Sequence, residues 1–189
     1  TRLGSSIQYR DEEDYIERYS HPAAERVLDV ACGTGRYSRW FARRAGVSSV
    51  IGLDLSRSML ERAERAAQGQ SGADILFVRG SAPALPVANG ALGAVNCFGA
   101  LHLFPDPFLA LREIGRTLRV DGTFTCLTAL KTTHGPRAAG QALFSRAAAF
   151  RFFSEDEMRR ALRDAEMEPL DFTTFGMVLL VAARKNAAR

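Results

Sequence analysis

The chain has 189 residues, enough for one full domain and too few for two of typical size. Hydrophobic residues at 47% and charged residues at 24% are the balance of a soluble globular protein and exclude a disordered or low-complexity chain. The net charge of +4 is carried almost wholly by arginine, with Lys131 and Lys185 the only lysines, and the arginines sit among acids (Arg62, Glu64, Arg65) without the clustering or interleaved aromatics of a nucleic-acid surface.

Residues 1–25 are polar, with Tyr9, Tyr15, Ile16 and Tyr19 spaced as one helix face. His21-Pro22 is expected to end that helix, because the residue before proline avoids the helical region. Next comes Val27-Leu28-Asp29-Val30-Ala31-Cys32-Gly33-Thr34-Gly35, an apolar run that fits a buried parallel strand, closed by a loop whose glycines reach backbone angles denied to other residues. The helix that follows begins near Gly35, carries Trp40 and Phe41, and is expected to end near Gly46. Its unpaired N–H groups and positive dipole end face whatever sits above the strand, which makes strand, loop and helix N-terminus a site for a nucleotide-like ligand. Val50 to Leu55 reads as a second buried strand, and its Asp54 stands about nineteen residues past Gly35. An acid at that distance accepts hydrogen bonds from ribose hydroxyls. Its two oxygens can take both hydroxyls and would repel a phosphate, so the expected ligand is an adenosine-type molecule with free 2′ and 3′ hydroxyls.

Ser56 caps a helix running to about Gln68, with Met59, Leu60 and Ala63 expected to face inward. Gln68 to Gly72 is a loop, Ile75 to Val78 a third strand, Ser81 to Gly90 a second loop, and Ala94 to Phe98 a fourth strand. Pro105-Asp106-Pro107 opens a helix to about Leu118, Asp121-Gly122 reads as a turn, and Thr123 to Leu130 as a fifth strand. Residues 132–153 are the least regular segment. Ser154 with Glu157 forms a capping box for a helix to about Glu166. Leu170 to Phe175 and Met177 to Ala183 are strands separated only by Gly176, a link that joins antiparallel neighbours and cannot hold a parallel crossover. The alternation predicts a doubly wound α/β sheet, mostly parallel, with an antiparallel hairpin strand at its C-terminal end. Cys32, Cys97 and Cys126 are scattered in apolar contexts without metal-ligand spacing, which points to a reducing cytoplasm with neither disulfide nor metal. The run from Met177 to Ala183 is far short of a membrane span, and no signal peptide is read in a chain that begins at Thr1.

The blocks VLDVACGTGRYSRWFA, IGLDLSRSMLERA, RGSAPALPVANGALGAV and GALHLFPDPFLALREIGRTLRVDG, in that order, resemble the small single-domain branch of the class I S-adenosylmethionine-dependent methyltransferases, over roughly residues 26 to 183. The resemblance implies one domain over 1–189 with a Rossmann-like seven-stranded sheet in the order 3-2-1-4-5-7-6. It implies S-adenosyl-L-methionine as cofactor and S-adenosyl-L-homocysteine as product. In that family Gly33 and Gly35 would let the backbone approach the methionine tail, Asp29 would reach the cofactor's amino group directly or through water, and Asp54 would hold the ribose. Met59 would pack on the adenine, and Ala31, Leu55, Ala82 and Phe98 complete the expected cofactor-binding set. Ser81 stands where the family usually has an aspartate for the adenine amino group, and it can accept only a weaker bond. Two further departures are Gly93 in place of an acid and Val120-Asp121-Gly122 in place of a Pro-Gly-Gly turn.

Residues 1–25 would form a lid helix, shorter than usual, and 132–153 the acceptor pocket. Phe144, Phe150, Phe152 and Phe153, with Phe98, Phe104 and Phe108 nearby, would favour a flat or apolar small molecule. His102, just past the fourth strand, sits where an acceptor would meet the methyl group and is the candidate base or orienting residue; His134 ranks behind it. The expected reaction is methylation of a small organic acceptor, at oxygen before nitrogen or carbon, by a monomer or homodimer with no nucleic-acid or membrane partner. One alternative is a nicotinamide-dependent oxidoreductase, but that fingerprint wants a third glycine where this chain has Ser38. Another is a non-catalytic S-adenosylmethionine-binding regulatory or partner protein.

Overall fold

In the computed structural model, the described residues are 9–20, 25–132, 140, 141, 143–145 and 150–187. The elements in chain order are α1 (Tyr9–Tyr19), β1 (Arg26–Val30), α2 (Arg36–Ala42), β2 (Ser49–Asp54), α3 (Arg57–Ala67), β3 (Asp74–Arg79), β4 (Leu92–Phe98), a tight helical turn (Leu101–Leu103), α4 (Pro107–Thr117), β5 (Leu118–Ala129), α5 (Glu155–Asp164), β6 (Met167–Phe175) and β7 (Val178–Lys185). The strands form one seven-stranded sheet in the order β3-β2-β1-β4-β5-β7-β6, with β7 antiparallel to both β5 and β6 and the other neighbouring pairs parallel. This is the expected doubly wound sheet. Its single reversed strand follows from the two residues between β6 and β7, where Gly176 at φ 60° turns the chain back on itself.

The strands alternate their side chains between two apolar layers. On one face Leu28, Val30, Leu53, Phe124 and Val181 pack with Leu111 and Ile114 of α4 and Met158 and Leu162 of α5. On the other, Val27, Val50 and Ala94 pack with Ile16 of α1 and Trp40 and Phe41 of α2. Each such fully buried leucine, isoleucine or phenylalanine contributes roughly 1.5–3 kcal/mol by area removed from water. Side-chain caps start three of the helices: Ser56 on α3, Asp106 on α4 and Ser154 on α5 accept from the backbone N–H of Met59, Leu109 and Glu157. Because β1, β2, β3, β4 and β5 run parallel, their C-terminal ends share one edge of the sheet, the edge at which open α/β sheets bind ligands.

Three readings change. The Asp121-Gly122 turn lies inside β5, which already starts at Leu118: Leu92 pairs with Leu118, the register then shifts, and Ala94 pairs with Thr123, with Asp121 at φ 62° absorbing the extra residues. α2 stops at Ala42, before Gly46, because the N–H groups of Arg43 and Arg44 bond Trp40 and Phe41 three residues back. Met59 does not face inward: Leu60 and Ala63 form the buried face of α3, and Met59, one step round the helix, is 37% exposed. The expectations on residues 1–8, on His21-Pro22 and on His134 lie outside the described residues.

Candidate active site

The loop after β1 takes the left-handed region three times, at Ala31 (φ 54°), Gly33 (φ 55°) and Gly35 (φ 69°). For Ala31 that conformation costs about 1–2 kcal/mol, offset by the bonds that pin the loop, among them Cys32 N–H to the Leu53 carbonyl at 3.0 Å. Gly35 lacks room as well as a free choice of angle, since a Cβ there would stand 2.9 Å from the Phe77 ring and 3.0 Å from the Ala63 methyl. Gly33 is the reverse. A Cβ on it would meet nothing within 4 Å, so the backbone opens onto free space. At the border of that space lies Asp54, whose carboxylate accepts from Gly33 N–H and Ser56 N–H, each at 2.8 Å. The acid at the end of β2 thus fixes the glycine loop and the start of α3, and each of its oxygens has lone-pair capacity left over.

Asp29 occupies a different position from Asp54. It is 1% exposed and lies between α2 and β4, accepting from Ser38 Oγ at 2.7 Å and from Asn96 Nδ2 at 2.9 Å. Asn96 Oδ1 in turn accepts from Thr125 Oγ1 at 3.1 Å, so the network crosses three strands. Burial pushes the Asp29 carboxyl up to about 6, although bonds from Asn96 and Ser38 pull the other way. The sign follows from the folded form holding its proton more tightly than the unfolded one. The contribution is fully present below the unfolded value of 3.8 and is lost as pH rises through about 6. A shift of this size corresponds to about 3 kcal/mol. Asp29→Asn, which cannot ionise, should therefore gain stability relative to wild type by roughly 2–3 kcal/mol between about pH 4 and about pH 8. Urea denaturation of both proteins across that range measures it, and a difference that stays constant with pH would show that Asp29 ionises as freely as in the unfolded chain.

The other expected cofactor residues gather at the same edge. Leu55 is 66% exposed beside Asp54. Arg79, the residue two before Ser81, pairs with Asp54 across β2 and β3, which brings the exposed Ser81 alongside. Ala82 is buried in the core below it. Phe98 turns to the other side of the loop and packs edge-on against Tyr37, with ring centroids 5.2 Å apart. α1 reaches this border through charge: Arg36, the first residue of α2, pairs with Glu12 at 3.1 Å and Glu13 at 2.9 Å, and Tyr37 donates to Glu12. Tyr15 anchors the same helix to the far side of the sheet by donating to Asp171 at 3.0 Å.

Beyond β4 and β5 lies a cleft of about 590 Å³ lined by His102, Thr128, Gln141, Phe144, Phe150 and Phe152 among others. The His102 ring packs against Phe150 at a tilt of 43° with centroids 4.5 Å apart, and its Nδ1 lies 3.5 Å from Thr128 Oγ1. Burial lowers the pKa of His102 below its ordinary 6.5, so the ring is neutral at neutral pH. Phe144, Phe150 and Phe152 form one aromatic cluster at 4.8 to 6.5 Å. The other expected wall residues divide: Phe153 is fully buried core against Phe108, and Phe104 packs at the edge of that core.

The profile of the methyltransferase domain family matches residues 27–122, just over half of the chain, spanning the glycine loop, Asp54, Ser81 and His102. The chain belongs to the class I S-adenosylmethionine-dependent methyltransferases. Among the relatives of this chain is an uncharacterised chloroplastic methyltransferase of Arabidopsis thaliana, 34% identical over 132 residues, 68% of this chain and 37% of that protein. Another is the demethylmenaquinone methyltransferase of Lactococcus lactis, 36% identical over 109 residues, 57% of this chain and 42% of that protein. The chain thus spans less than half the length of either relative. The YcgJ protein of Bacillus subtilis shares the fold with a TM-score of 0.80 at 19% identity, over 96% of this chain and all of that one. Among the described residues, no helix is long and apolar enough to cross a membrane.

Some of the site's polar groups are not legible in the sequence. Asn96 stood in plain view as the one amide in an apolar strand, and a buried amide implies a buried partner. Thr125, Thr128 and Gln141 gave no such signal, since each is an ordinary residue until the fold brings it to Asn96, His102 or the end of β5. Ser38 in the place of a third glycine is explained by its bond to Asp29.

Proposed function

We propose that this methyltransferase binds S-adenosylmethionine across the glycine loop and methylates a small organic acceptor in the His102 cleft, at a hydroxyl oxygen. The observation that carries this reading is the open space in front of Gly33 bordered by the Asp54 carboxylate, a backbone cradle beside a ribose acceptor. The residues present fit the cofactor. Asp54 would accept from the ribose hydroxyls, the exposed faces of Leu55 and Met59 would cover the adenine, Ser81 would accept from its amino group, and the Ala31 to Gly35 backbone would hold the methionine tail. Asp29 would act from inside, keeping that backbone in shape through Ser38 and Asn96. When bound, the cofactor supplies a methyl group already activated by its sulfonium, so the protein's task is alignment of the partners and management of one proton. The aromatic cluster orients a flat acceptor. If His102 donates Nδ1–H to Thr128, the Nε2 lone pair is free to take the acceptor's hydroxyl proton.

Two assays decide it. Binding titrations should show S-adenosylhomocysteine bound and NADH not, and a screen of phenols, carboxylates and amines with labelled S-adenosylmethionine should show transfer to phenols. Binding of NADH in its place would return the chain to the oxidoreductase reading, and transfer only to amines would overturn the oxygen assignment.

A further inference from the structure

A second cleft of about 550 Å³ adjoins the first, and the two share Gln141, Phe150 and Phe152 as walls. Its charged lining consists of Lys131, Arg151 and Glu157. Arg151 is committed: it pairs with Glu157 at 2.5 Å and lies over the Phe108 ring at 4.6 Å. Lys131 has no carboxylate partner among the described residues, whereas the chain's other lysine, Lys185, pairs with Glu166 at 2.6 Å. The Lys131 backbone is fixed at the end of β5, its N–H donating to the Phe153 carbonyl at 2.8 Å next to the Leu130–Phe153 bridge. Gln141 is neutral and is held by the backbone, its amide accepting from Thr132 N–H at 2.7 Å and donating to the Leu130 carbonyl at 3.0 Å, so it brings no charge to the cleft. Among the described residues, Lys131 is therefore the one charge at the rim of this aromatic cleft without an opposite partner, since Arg151 and Glu157 pair with each other.

We propose that the acceptor is a hydroxylated aromatic carboxylate, with its ring against Phe144 and Phe150, its hydroxyl on the His102 side and its carboxylate reaching Lys131. The inference rests on the reading of the His102 cleft as the acceptor site, and it makes Lys131 the specificity-determining residue. A charged partner for the ammonium gives a stronger hydrogen bond than a neutral one and selects against uncharged analogues. The position is exposed, so substitutions there leave the core untouched.

The test uses two fluorescent probes that differ by one anionic group, anilinonaphthalene sulfonate and the uncharged phenylnaphthylamine, titrated into wild type, Lys131→Ala and Lys131→Arg. Lys131→Ala should weaken the sulfonate probe about tenfold, the loss of one charge-assisted bond in a partly solvated place. It should leave the neutral probe unchanged, and Lys131→Arg should restore binding. Added salt should weaken the sulfonate probe alone. Equal losses for both probes, unchanged sulfonate binding in Lys131→Ala, or no sulfonate binding to wild type would each overturn the proposal. S-adenosylhomocysteine titrated into the same samples separates the two readings: its failure to bind strikes the methyl-transfer reading, while the probe comparison still decides Lys131.

Discussion

Asp54→Ala should raise the dissociation constant for S-adenosylhomocysteine by at least about a hundredfold. Hydrogen bonds to a charged group are worth about 1.5–3 kcal/mol each, two ribose hydroxyls are at stake, and each 1.4 kcal/mol is about tenfold. The structure adds a second loss. The Gly33 and Ser56 N–H groups that Asp54 holds at 2.8 Å would be left without their acceptor, so the cradle itself would loosen. Asp54→Asn separates the two effects. It keeps one side-chain oxygen for the backbone but gives up the charge, and should fall between wild type and alanine in affinity while retaining most of the wild-type melting temperature. Calorimetry on the three proteins gives the affinities. Unchanged affinity in Asp54→Ala would place the ribose elsewhere.

His102→Ala should lower turnover by roughly 10²–10⁴, the range for general acid–base catalysis, with little change in cofactor affinity. Wild-type turnover should show an acid limb below the ordinary histidine value of 6.5, because burial disfavours the charged ring and a protonated His102 cannot accept a proton. The variant should lose that limb. If His102 serves only to pack on Phe150 and bond Thr128, the same change would lower the melting temperature and leave turnover per folded molecule within a few-fold of wild type. Thr128→Val tests the orienting bond: it should reduce turnover by less than His102→Ala while leaving the acid limb in place. Cofactor binding without turnover on any acceptor would favour the non-catalytic alternative.

What was legible in the sequence is what neighbours in the chain decide among themselves. The runs from Val27 and from Val50 to Leu55 read as buried strands because they are apolar and bounded by turn residues, Ser56 and Ser154 marked helix starts through local capping chemistry that the structure contains, and Pro107 marked a third through its fit to the first helical turn. The short link at Gly176, read as one residue and two in the structure, was enough to set the direction of β7. Asp54 was readable because its spacing from the glycines reflects one strand–helix–strand unit. Choices among distant partners were not readable. Nothing near Asp29 in sequence reveals that Asn96, 67 residues on, will turn it into the centre of a buried network, or that Glu12 and Glu13 will find Arg36. The helical period of α3 admitted Met59 to the apolar face, and only packing against the sheet showed that Leu60 and Ala63 fill it. The division of the phenylalanines between core and cleft was hidden for the same reason: composition counts rings, and the path of the chain decides which of them meet a ligand.

In the proposed function, the glycine loop and Asp54 hold S-adenosylmethionine with its methyl group directed at the His102 cleft. A crystal structure of the chain with S-adenosylhomocysteine tests it most directly. It should show both ribose hydroxyls within hydrogen-bond distance of the Asp54 carboxylate, the homocysteine tail along the backbone at Gly33, and the sulfur facing His102. Ribose hydroxyls held by any other side chain, or a sulfur turned away from the cleft, would contradict it.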